Sequence, residues 1–430
     1  MIMDRKAKRI HVAMCVLCMV LLAACGSTSP IASRSDFPGM YGSTGELRLM
    51  ARVHHGSPDQ STILFKLRTN ELLYKSASGG PPYQARVRIT YEAFADWDSR
   101  TLLDSASTLV GDRTEDPDER KELIGSMDMR RNDRRSFVLK VTARDLNRET
   151  ADVVTMAVDR EGAGTRQNFL PLSATSGRPL FDDHFAAGTP LRIRCEHYAG
   201  RTLWVSHYPA GSGLPAPVFT FGNPATAPPQ PDSSFTVAVD STGAFTFTSP
   251  TTGFCHFRPD STSLNGYTVF TLGETYPDVR SAHAMLPPLR YITSMQEFDA
   301  LTTAKDPRKA IERFWLDAAG DRERARDAIR AYYRRVQNAN RNFTSTVEGW
   351  KTDRGLVHII FGTPNTVHKS ATSETWIYGE ETNLMSLSFT FTKREGPFTG
   401  NDLVLERDPV YKAAWYRNVE SWRNGRTFQN

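Results

Sequence analysis

The feature that most constrains this chain is a change of hydrophobic period near residue 290. Upstream of it, Leu47-Arg48-Leu49, Ile63 to Leu67, Ala85-Arg86-Val87-Arg88-Ile89-Thr90-Tyr91 and Phe137 to Val141 alternate apolar with polar, as strands with one buried face do. Downstream, Met295, Phe298 and Leu301, then Ala310, Ile311, Phe314 and Trp315, then Ala325, Ala328, Ile329, Tyr332, Tyr333, Val336, Ala339 and Phe343 recur at helical spacing. One repeating layer cannot hold both patterns. The fold class expected is mainly β with a C-terminal α+β module: two β-sandwich domains of immunoglobulin-like architecture, then a helical segment and a small antiparallel sheet.

The boundaries follow from the loops. Residues 46–175 read as the first sandwich, with "SASGGPPY" as a turn and a loop or short helix near "EDPDERKELIG". A second sandwich is expected over 180–282, its strands at Leu191 to Cys195, Leu203 to Val205, Phe235 to Val239, Phe245 to Phe247 and Tyr267 to Phe270. The Pro-rich "PAGSGLPAP" and "GNPATAPPQPDSS" cannot lie in a central strand and become rim loops. The α+β module spans 288–405, and an aromatic and basic tail follows over 406–430.

Residues 1–24 read as a signal peptide. Arg5, Lys6, Lys8 and Arg9 precede an apolar run from Val12 to Ala24, too short for a spanning anchor. Leu22-Ala23-Ala24-Cys25-Gly26 resembles the bacterial lipobox, in which Cys25 becomes diacylated. Each buried acyl methylene contributes about 0.8 kcal/mol, so a multi-chain lipid anchors durably. Gly26 in place of Asp favours the outer membrane over inner-membrane retention. Residues 25–45, rich in Ser, Thr, Pro and Gly, form a flexible tether. The first acid after Cys25 is Asp36, which favours the periplasmic face over the cell surface.

Charge excludes one partner class. Cleavage before Cys25 removes four basic residues and Asp4 from totals of 53 and 48, leaving 49 against 47, or +2. Nothing here requires nucleic acid, and the mean hydropathy of -0.44 excludes a polytopic membrane protein.

The segment "GWKTDRGLVHIIFGTPN", residues 349–365, is the densest cluster of chemistry-bearing residues. Its residues suit a turn feeding a buried strand. Thr352 and Asp353 would accept backbone N–H bonds, Gly355 would supply positive φ, Leu356 to Phe361 would form the strand, and Trp350 would cover its open end. Glu374 to Tyr378 and Leu384 to Phe391 would pair as neighbours. Upstream, Asp306 should cap a helix starting at Pro307. The arginines flanking the long apolar stripe read as a solvated face.

Gly349-Trp350-Lys351-Thr352-Asp353-Arg354-Gly355, with Phe361-Gly362-Thr363-Pro364 and Glu374-x-Trp376-x-Tyr378, closely resembles the GWxTD-domain family of bacterial envelope proteins. Asp306-Pro307, Arg313-Phe314-Trp315 and Arg334-Arg335-Val336 fall where that family has matching helix elements. The resemblance covers about 288–405 and implies a module found chiefly in Bacteroidota, downstream of β-rich regions in lipoproteins. It supplies no reaction. It leaves Gly349, Trp350, Thr352, Asp353 and Gly355 as motif residues with a structural or binding role.

The catalytic alternative would use Asp353 as general base near His358, with Arg354 stabilising an oxyanion, but the sequence offers no second carboxylate in a fixed relation to Asp353. Cys195 and Cys255 would form a disulfide or stay as reduced core thiols, with a metal shell of Cys195, His197, Cys255 and His256 as the rival. His54-His55 reads as a surface turn. No nucleophile elbow, zinc-protease helix, phosphate loop or dinucleotide fingerprint occurs, and neither a cofactor nor a metal is expected. In the tail, Trp415, Tyr416 and Trp422 belong to a docking segment or to a helix packed on its own domain. The expectation is an outer-membrane-anchored, non-catalytic binding or scaffold lipoprotein whose partners are outer-membrane proteins, in assembly or secretion. The alternatives are an envelope hydrolase with its site around the motif and a glycan-binding lipoprotein.

Overall fold

The computed structural model describes residues 47–426 apart from 131–134, 163, 223–226, 250, 381–382 and 384. The signal peptide, Cys25 and the tether lie outside the described residues.

The first module holds β1 (Met50–Ser57), β2 (Gln60–Arg68), β3 (Tyr83–Phe94), β4 (Leu102–Thr114), β5 (Glu122–Arg130), β6 (Phe137–Asp145) and β7 (Ala151–Val158). They form two antiparallel sheets, ordered β1-β2-β5 and β4-β3-β6-β7. Alternate residues of β3 (Ala85, Val87, Ile89, Tyr91 and Ala93) face Ile63, Phe65 and Leu67 across one core, the arrangement period-two alternation dictates. His54 and His55 depart from the sequence reading. Both are buried on β1, because Glu196 Oε2 and Ser61 Oγ satisfy their ring nitrogens at 3.0 and 2.9 Å.

The second module comprises β8 (Leu170–Ser173), β9 (His184–Phe185), β10 (Pro190–Arg194), β11 (Thr202–Pro209), β12 (Ser233–Ala238), β13 (Ala244–Thr248), β14 (Gly253–Arg258) and β15 (Tyr267–Thr271). The sheets run β13-β10-β8 and β12-β11-β14-β15-β9. β8, inside the span read as the first domain, pairs with β10. β14 has no alternation because it is central and covered on both faces. Phe257 enters the sandwich core, and Phe254 meets Phe398 of the third module at 5.0 Å between ring centroids.

The third module begins with α1 (Ala282–Met285), α2 (Met295–Thr302), α3 (Pro307–Ala319), α4 (Arg322–Phe343) and α5 (Asp353–Phe361). The antiparallel sheet β16 (Thr366–Lys369), β17 (Ser373–Tyr378), β18 (Leu387–Lys393) and β19 (Leu403–Leu405) follows, and α6 (Tyr411–Arg423) closes the module. Asp306 caps α3 by accepting the Lys309 N–H at 3.1 Å, with Pro307 in the first turn. Asp321 caps α4 through the Glu323 and Arg324 N–H groups. Trp315, Tyr332, Val336, Phe343, Trp376 and Phe389 fill the core. Trp415 and Trp422 of α6 join it, so the tail is a helix packed on its own module.

The stretch expected as a buried strand is instead α5. The Thr352 hydroxyl accepts the Gly355 N–H at 3.0 Å as N-cap, and Gly362, at φ 87°, ends the helix. All nine residues from Asp353 to Phe361 are buried. An apolar run covered on every side carries no period to tell helix from strand.

The modules are also joined to one another. Leu64 packs with Leu170, Leu172 and Phe181, and Arg52 pairs with Asp183 at 2.7 Å. Val218, from the second module's Pro-rich loop, sits in the third module's core.

Candidate functional site

The motif forms a corner in which a one-turn 3-10 helix, Gly349–Lys351, leads into α5. Gly349 lies against the α4 backbone, so that a Cβ there would overlap the Ala339 carbonyl, and a Cβ on Gly355 would overlap the Gly349 carbonyl. Gly355 does not take the positive φ expected of a turn glycine. Its place in the first turn of α5 shows that close backbone approach is what requires glycine.

The polar groups of the corner are engaged from all sides. Gly349 N donates to Tyr276 Oη at 3.1 Å and Trp350 N to Asn340 Oδ1 at 3.1 Å. The Trp350 carbonyl accepts Tyr291 Oη–H at 2.7 Å, and the Trp350 ring packs edge-on against Tyr291. It is buried beside the helices rather than covering a strand end. Thr352 Oγ1 donates to the Gly349 carbonyl at 2.7 Å while capping α5. Asp353 accepts the Leu405 N–H at 2.8 Å and forms a two-pronged pair with Arg407, one prong at 3.1 Å. Arg407 in turn donates to the Ala216 carbonyl at 3.1 Å, which ties the corner to the second module.

The proposed catalytic set is not assembled. Asp353 turns to β19 and Arg407, whereas His358 is 1% exposed and packs edge-on against Phe343 at 5.7 Å. Burial, with the Arg335 charge adding, pushes His358 down to about 3. Arg354 stacks over Phe343 and pairs with Glu374 at 3.3 Å. Tyr276, Tyr291, Asn340, Asn401 and Arg407 complete the corner from elsewhere in the chain, and no local pattern marks them.

Cys195 and Cys255 are free, buried thiols in the second module's core, so the disulfide is not formed here. Burial pushes both up to about 12, far from a reactive thiolate. His256 commits its ring nitrogens to Thr268 Oγ1 and the Leu264 carbonyl at 2.9 and 3.0 Å. Among the described residues no group of three or more His, Cys, Asp or Glu could hold a metal ion.

A cleft of about 950 Å³ opens where the three modules meet. The third module contributes Arg341, Arg354, Lys369 and Lys393 with Glu374 and Glu395; the facing wall contributes Asp159, Asp182 and Asp183 with Arg166. The first wall is net positive and the second net negative. Thr155, Gln167, Asn265, Thr268, Ser370 and Asn401 add hydroxyl and amide groups. Asn401 links this cleft to the motif, because it accepts from Arg354 through its carbonyl at 2.8 Å and donates to the Asn342 and Thr344 carbonyls.

The family model of the GWxTD domain matches residues 253–424. The chain therefore carries a GWxTD domain, one that reaches upstream of residue 288 to include β14 and β15 and downstream through α6. Among curated proteins there is no match. Two solved structures, Bacteroides uniformis beta-glucuronidase and a calcium-binding mutant of Bacteroides uniformis beta-glucuronidase 2, are each 16% identical over 28% of this chain, with a TM-score of 0.18. The match spans only 13% and 14% of those chains, and at that score it carries no argument.

Proposed function

We propose that this protein is a binding or scaffold subunit of a cell-envelope complex, tethered to the outer membrane through a lipidated Cys25 and facing the periplasm. A contrast between the motif and the junction of the three modules supports this reading. Gly349, Trp350, Thr352 and Asp353 spend their hydrogen bonds on holding the fold together, whereas the cleft at the three-module junction, bordered by Arg354, is large, polar and lined by charge. Cavities of about 300–1,000 Å³ are typical of binding sites. A partner in outer-membrane protein assembly or secretion fits the envelope address.

The test uses a photo-crosslinking amino acid at Ser370, in the cleft, and at the exposed Asp317 on α3 as control, in intact cells. The expected outcome is an adduct to one envelope protein from Ser370 alone, recovered in stoichiometric amount on native purification. Recovery of the protein alone from both positions would overturn the scaffold reading. Mass spectrometry of the N-terminal peptide tests the anchor, which Cys25→Ser should abolish.

A further inference from the structure

We propose that β4 is a self-association edge, through which two copies of this chain pair antiparallel about a two-fold axis at Leu109 to make one continuous sheet. β4 is a 13-residue strand at one end of the β4-β3-β6-β7 sheet, and among the described residues only β3 pairs with it. From Asp104 to Thr114 its register with β3 is unbroken, leaving eleven residues of backbone along an open edge. Folded proteins guard such edges with proline, lysine, bulges or inward-pointing charge. Here the irregularity comes beyond Asp104, at Leu103, and the stretch contains neither proline nor lysine. Asp104 and Asp112 are the inward charges, each already hydrogen-bonded by a tyrosine hydroxyl, Tyr91 at 2.9 Å and Tyr74 at 2.6 Å.

The strand's own pattern selects the occupant. A two-fold contact brings each residue against a symmetry mate, and in a continuous sheet opposed residues must share a face. Partners of buried Tyr91, Ile89 and Val87 point inward, so Leu109, paired with Arg88, points outward, and it is 56% exposed. With the axis at Leu109, Leu109 meets Leu109, Ala106 meets Asp112, Ser105 meets Arg113 and Asp104 meets Thr114. The whole stretch pairs without like charges opposed. Moving the axis to Thr108 sets Asp104 against Asp112 twice, which is destabilising. Moving it to Val110 shortens the ladder by a residue at each end.

The experiment is sedimentation equilibrium of the full chain in detergent at micromolar concentration, beside the Leu109→Lys and Leu109→Cys variants. The wild type should sediment as a dimer, and Leu109→Lys should raise the dissociation constant at least tenfold with an unchanged circular dichroism spectrum. Leu109→Cys should give a disulfide-linked dimer under mild oxidation, as cross-strand Cβ spacing permits, while Leu214→Cys, at another exposed site, should not. A wild type that stays monomeric, a dimer indifferent to Leu109→Lys, or a Leu109→Cys variant that forms no more linked dimer than Leu214→Cys would each overturn the proposal.

Discussion

At the residue scale, two glycines set the geometry of the motif. Gly349 and Gly355 allow the 3-10 turn, the start of α5 and the α4 backbone to touch, and each contact is with main chain, which cannot swing aside. Gly349→Ala and Gly355→Ala should therefore each destabilise the protein by about 1–3 kcal/mol, as overpacking of tight sites does. The readout is the urea midpoint. Lys351→Ala, which removes the pair with Glu348 at 2.8 Å, a hydrogen bond to the Gly211 carbonyl at 3.3 Å and the ammonium's contact with the Trp350 ring, should cost about 1–2 kcal/mol. Sequence could show that glycine mattered at 355. It could not show why, since positive φ and close approach leave the same letter.

At the scale of elements, alternation and helical spacing were legible in several elements with one wet face, but not in β4, nor in β5, whose Glu122 to Gly125 fall in the stretch expected as a loop or short helix. β3, β6 and the long α4 were legible in this way, and the cap at Asp306 sits where local chemistry puts it. Legibility failed where burial is complete. α5 and β14 are covered all round, so their periods vanish, and α5 reads as a strand until its cap is seen. His54 and His55 look like a turn because their partners Glu196 and Ser61 cannot be read from neighbouring residues. Thr352→Ala should cost about 1 kcal/mol as a lost N-cap and reduce protection of the α5 amides in hydrogen exchange. Trp422→Ala should cost about 3–5 kcal/mol, because α6 is anchored in the core by that indole, 3% exposed.

At the scale of the whole molecule, the three modules share buried groups whose ionisation couples stability to pH. Burial holds His55 and His256 down to about 4 and His358 to about 3, against roughly 6.5 in an unfolded chain. Between about pH 6.5 and 4 the unfolded state binds protons that the folded state refuses, so stability present above 6.5 is lost as pH falls. Urea titrations at pH 7.0, 5.5 and 4.5 should show that decline. Glu297, held at about 2 chiefly by Arg423, contributes stability above the usual carboxylate range that is lost only at lower pH. Thiol mapping should find Cys195 and Cys255 unmodified in the native protein and both reactive once it unfolds.

Whether the GWxTD motif is a structural joint is decided by the Asp353–Arg407 pair. Both side chains are nearly fully buried, at 9% and 3% exposed, so removing either partner leaves a charge uncompensated. A double-mutant cycle with Asp353→Asn and Arg407→Met should show each single change costing about 3–5 kcal/mol and the double change costing clearly less than their sum. An Asp353→Asn variant with an unchanged urea midpoint would contradict the claim and return that carboxylate to candidacy for chemistry.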